Sequence, residues 1–103
     1  MKYEKDEIQR IIFHYYFKYN FNLRVYNLGE GYDAAIEFNN NVYVYIDIYK
    51  RYNEYVFYEK KYFNANDPTE EYIEKEYYTD SIDKIYELLV LVIESILPPK
   101  INY

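Results

Sequence analysis

Val42-Tyr43-Val44-Tyr45-Ile46-Asp47-Ile48-Tyr49 is the stretch that decides the fold. Aliphatic residues at 42, 44, 46 and 48 alternate with Tyr43, Tyr45, Asp47 and Tyr49. A period of two sends alternate side chains to opposite faces, so this is a strand with one greasy side. Leu23 to Leu28 and Tyr32 to Phe38 read as two earlier strands. Gly29-Glu30 fits a type II′ hairpin turn, which wants glycine first. Asn39-Asn40-Asn41 is a turn, because asparagine tolerates the left-handed conformation. These turns set a register: Val25 opposite Ala34, Leu23 opposite Ile36, Ile36 opposite Val44, Ala34 opposite Ile46 and Phe38 opposite Val42. In that register the apolar residues of all three strands share one face, which is self-consistent for an antiparallel meander.

Working outward, a fourth strand is expected over Tyr55 to Phe63, after a turn near Tyr52-Asn53. Before the strands, Asp6 to Asn20 reads as a helix with Ile8, Ile11, Ile12, Tyr15, Tyr16 and Tyr19 on one stripe. After them, Asp67-Pro68 with Glu70 gives a cap, a first-turn proline and a capping-box acid, which predicts a short helix to about Tyr78. A last helix is expected from near Thr79 to Ser81 up to Pro98-Pro99, with Ile82, Ile85, Tyr86, Leu89, Val92, Ile93 and Ile96 on its main stripe. The expectation is one α+β domain over 1–103. It has an N-terminal helix, a three- to four-stranded antiparallel meander and two C-terminal helices, with the helices packed on one sheet face.

Composition narrows the chemistry. The chain has 103 residues with no cysteine, one histidine (His14) and two glycines. Disulfides, cysteine-based metal centres and glycine-rich phosphate loops fall away with those counts. No cofactor or resident metal is implied, and no catalytic constellation is evident, so an enzyme is not expected. Nothing in the first residues reads as a secretory signal, and Leu88 to Ile93 is far short of the ~20 apolar residues of a membrane span. A cytoplasmic protein is expected. Tyrosine is the outlier, with eighteen copies beside six phenylalanines. Together with frequent Asn, Ile and Lys it looks like the bias of an AT-rich genome. Tyrosine also suits recognition surfaces, since it combines contact area with a polar handle.

Twelve basic residues against eighteen acidic ones give a net charge of −6. The segment Asp67 to Glu87 holds eight of the acids (Asp67, Glu70, Glu71, Glu74, Glu76, Asp80, Asp83, Glu87) and two lysines, which equals the whole net charge. Direct nucleic-acid binding is not expected of such a chain. On the predicted short helix, Asp67, Glu70, Glu71 and Glu74 share a face, either as solvated surface or as a contact for a basic partner. The second candidate surface is the outward side of the sheet, with Tyr43, Tyr45, Asp47 and Tyr49. There the register sets Asp33 directly across from Asp47. Opposed carboxylates need compensation, for which Arg24 is the nearest candidate; a shared Mg²⁺ or Ca²⁺ is the alternative.

The α-βββ-α order resembles double-stranded RNA-binding domains, but those carry a basic cluster where this chain has Thr79-Asp80-Ser81-Ile82-Asp83. In size, acidity, composition and element order the chain also resembles small acidic inhibitors made by phages and mobile elements, of the anti-CRISPR type. That resemblance implies a non-enzymatic protein that blocks a nuclease or other basic nucleic-acid-binding host protein in the host cytoplasm. An immunity protein or antitoxin that neutralises a basic toxin makes the same demands on the sequence. The apolar second half of the last helix (Leu88, Val90, Leu91, Leu97) adds the expectation of a homodimer, or of a structural protein built from one.

Overall fold

The computed structural model describes residues 2–26, 31–38, 42–62 and 72–97. The element order is α1 (Lys2–Tyr19), β1 (Asn22–Tyr26), β2 (Tyr32–Phe38), β3 (Val42–Arg51), β4 (Glu54–Tyr62), β5 (Tyr72–Thr79) and α2 (Ile82–Ile96). The strands form one antiparallel meander in the spatial order β1-β2-β3-β4-β5.

The expected register holds residue by residue. Leu23 lies opposite Ile36, Val25 opposite Ala34, Ile36 opposite Val44, Ala34 opposite Ile46 and Phe38 opposite Val42. The turns at Gly29-Glu30 and Asn39 to Asn41 themselves lie outside the described residues. At the start of β2 a side chain has no room: a Cβ on Gly31 would sit 2.9 Å from the Ile48 carbonyl oxygen. The β3–β4 hairpin closes over Tyr52-Asn53, with Arg51 opposite Glu54. Tyr52 there holds a left-handed φ of 57° and is almost fully exposed.

One element is corrected. The chain has a fifth strand where a short helix to Tyr78 was expected, so there are two helices among the described residues. The capping signal at Asp67, Pro68 and Glu70 lies outside the described residues. Beyond it, Tyr72, Ile73, Tyr77, Tyr78 and Thr79 favour a pleated surface, and the open edge of β4 pairs with all of β5. From Tyr72 onward the long-range partner sets the structure.

The other boundaries moved little. α1 starts four residues earlier than expected. It ends with Asn20 in the left-handed region (φ 54°), whose N–H donates to the Tyr16 carbonyl at 2.8 Å. α2 stops at Leu97, which is extended (ψ 154°), as the residue before a proline prefers.

Both helices pack on one face of the sheet. The core joins Ile8, Ile11 and Ile12 of α1 and Ile85, Leu89, Val92, Ile93 and Ile96 of α2 to Ile36, Val44, Ile46, Ile48 and Phe57. Tyrosine hydroxyls pin α1 in place: Tyr32 donates to Gln9 at 2.6 Å, Tyr55 to Glu4 at 3.2 Å and Tyr15 to Glu94 of α2 at 2.9 Å. Among the described residues no helix is long and apolar enough to cross a membrane. Leu88, Val90 and Leu97, expected on a spare face of α2, pack against the core; Leu91 stays exposed.

Phe57 is the largest fully buried side chain and bridges the sheet to the helices. Phe57→Ala is expected to cost about 3–5 kcal/mol of unfolding free energy in urea titration, because a cavity opens where nothing can collapse.

Candidate functional site

With the helices on one side, the other side of the sheet has no covering element among the described residues. The register assigns its residues in rows. One row runs Glu37, Tyr43, Tyr62, Tyr72, and the next runs Arg24, Ala35, Tyr45, Lys60, Glu74. A third runs Tyr26, Asp33, Asp47, Tyr58, Glu76, and a fourth Tyr49, Val56, Tyr78. Ala35 and Val56 are buried without belonging to the core beneath the helices.

The tyrosines form connected tiers. Tyr26 lies 6.5 Å from Tyr45, and Tyr45 lies 6.3 Å from Tyr58. Tyr43 lies 5.3 Å from Tyr62, and Tyr62 lies 5.9 Å from Tyr72. Lys60 sets its ammonium 4.4 Å from the Tyr72 centroid and 5.3 Å from that of Tyr62, a cation–π contact that carries one of the face's few positive charges. Hydroxyls are tied to carboxylates: Tyr58 donates to Glu74 at 2.7 Å and Tyr45 to Asp33 at 3.3 Å.

Those partners fix the protonation states. Desolvation, then the Asp33 and Asp47 charges, push Tyr45 up to about 12. Desolvation and the Glu74 hydrogen bond do the same to Tyr58. Both are neutral donors at any ordinary pH. Asp33 and Asp47 face each other across β2 and β3, as expected. Burial, a hydrogen bond from one carboxyl to the other and the Asp33 charge push Asp47 up to about 7. The pair is compensated by holding a proton. Arg24 does not do it: it forms no ion pair among the described residues, and its charge acts on the Tyr43 hydroxyl. Nor do the described residues contain a group of three or more acids or histidines arranged to hold a metal ion.

The two surfaces expected from the sequence meet in part. Tyr43, Tyr45, Asp47 and Tyr49 share the outward face as expected. Glu74 and Glu76 join them, because they sit on β5 rather than on a helix. The single acidic helix face does not exist in that form. Asp67, Glu70 and Glu71 lie outside the described residues. Asp80 lies in the bend before α2 and Asp83 in its first turn; both are exposed and neither shares the sheet's outward face. Sequence reasoning missed Tyr58, Lys60, Tyr62, Tyr72 and Tyr78. Their signal was the same period of two, present in β4 and in Tyr72, Glu74, Glu76 and Tyr78.

The proton on the Asp33–Asp47 pair makes stability depend on pH. Asp47 is raised above its ordinary 3.8, so the folded state binds a proton that the unfolded chain has released. The stabilisation is therefore full in acid and is lost as pH rises through about 7. Relative to Asp47→Asn, the wild type is expected to lose about 1–2 kcal/mol between about pH 5 and about pH 8, after allowing for solvent screening of a half-buried pair. Urea midpoints of both proteins at the two pH values check this; parallel behaviour would exclude the shared proton.

No protein-family model, curated protein or solved structure matches this chain.

Proposed function

We propose that the chain is a non-enzymatic binding protein that covers a basic protein surface with its tyrosine face. The observation that carries this reading is the make-up of that face. Connected tyrosine rings are interspersed with Asp33, Glu37, Asp47, Glu74 and Glu76, against Arg24 and Lys60. Tyrosine supplies contact area at low entropic cost, and the carboxylates choose the sign of the partner. An arginine fits the centre best: its planar fork reaches both opposed carboxylates, displaces their shared proton and lies against Tyr45 or Tyr58.

The most economical target is a nuclease or other nucleic-acid-binding host protein, whose phosphate-binding groove offers such arginines. In that case the protein is an inhibitor from a phage or mobile element, of the anti-CRISPR kind. A toxin-neutralising immunity protein uses the same chemistry on a different target. Pairing of two copies through Leu91 and its neighbours on α2 is compatible with either, since α2 lies on the opposite side of the sheet.

The test is capture of partners from host lysate at low and moderate salt, with nucleic acid added as competitor. The expected result is a basic nucleic-acid-binding protein that is lost at higher salt and displaced by nucleic acid. Glu74→Lys with Glu76→Lys is expected to weaken capture at least about tenfold while circular dichroism stays unchanged. A partner held equally by the double variant would exclude this face. A single partner indifferent to nucleic acid would favour the immunity reading.

A further inference from the structure

A groove on the helix side of the sheet plays no part in the docking of a basic partner on the tyrosine face. It lies between α2 and the strands β4 and β5, with a volume of about 290 Å³. That is near the lower end of the ~300–1,000 Å³ of small-molecule sites, so only a small ligand fits. Its floor holds Glu59 and Lys75, directly opposite each other across the two strands. Glu59 is only 7% exposed and makes no hydrogen bond or ion pair among the described residues. Burial pushes its carboxyl up, while the Lys75 and Lys61 charges pull it down. In the next row Lys61 donates to the Ser95 hydroxyl at 3.1 Å, and that hydroxyl donates to the Val92 carbonyl at 2.6 Å. The wall is apolar, with Leu88 and Leu91 of α2.

Glu59 is nine-tenths buried as a residue, but its carboxylate still reaches the groove and offers an acceptor that a ligand's ammonium can take up. A simple cation would satisfy Glu59 but meet Lys75 and Lys61. A simple anion would pair with Lys75 but meet Glu59. Directly opposed residues in an antiparallel pair stand about 4.5–5.5 Å apart at Cβ, so one small molecule carrying both charges can reach both. We propose that this groove binds a free apolar α-amino acid, with its ammonium on Glu59, its carboxylate on Lys75 and its side chain against Leu88 and Leu91.

Titration of the whole protein with leucine, followed by amide NMR, tests the assignment. N-acetyl-leucine and leucine amide, each with one charge blocked, are the controls. Leucine is expected to shift Glu59, Lys75, Leu88 and Leu91 with a dissociation constant of about 1 mM or below. Each blocked form, and leucine on the Glu59→Gln variant, is expected to bind about tenfold more weakly. Lys75→Gln, at an exposed position, gives the same test should Glu59→Gln fail to fold. No shifts at any leucine concentration would overturn the proposal. So would equal shifts from free and blocked forms, which would mark a bare apolar groove.

Discussion

β3 cannot slip by one residue against its neighbours. A shift would turn Val44, Ile46 and Ile48, all fully buried, toward water and press Tyr45 and Asp47 against the helices. Exposing each aliphatic side chain costs roughly 1.5–3 kcal/mol. The charged residue adds a desolvation penalty on top. That constraint passes outward strand by strand. β2 and β4 are fixed by β3, and β1 and β5 are fixed by them. The helices then have only one face on which to bury their stripes, and the other face is left to tyrosines and acids.

The legible parts of this fold were those where the alternation is sharp and the turns are short. From β1 to β3 the six cross-strand pairs named from the sequence, including Asp33 opposite Asp47, are those observed. β5 was not legible, because Asp67-Pro68 and Glu70 announce a helix and acids recur at helical spacing. Nothing local reveals that β4 leaves an edge free. In the same way the register placed the two carboxylates together, but it could not say where the long Arg24 side chain goes. Only the packed structure brings its charge near the Tyr43 hydroxyl and pushes Asp47 up to about 7, so that a proton shared by the aspartates takes its place.

β5 sets the character of the site. Glu74 and Glu76 on a helix would be a soluble charged ridge. On β5 they stand beside Tyr72 and Tyr78, and Tyr58 holds Glu74 with its hydroxyl. Aromatic area and negative charge thus occupy one surface, and neither was arranged by a local motif. Ala35 and Val56, the small residues of that face, are buried within it.

Among the described residues β5 is an edge strand, and it carries Glu74-Lys75-Glu76 at its middle. If a second copy added its own β5 antiparallel to this one, a two-fold axis would run through the sheet, and residues opposite each other would come from the same face. With the axis at Glu74, Lys75 or Glu76, that residue meets its own copy. With the axis at Lys75, Glu74 also meets the other copy's Glu76. Each central register sets like charges against each other, which is destabilising. A protein this rich in tyrosine, with a strand of eight residues at its rim, has the makings of an endless sheet. Three alternating charges oppose that growth through the β5 edge at the cost of no buried surface.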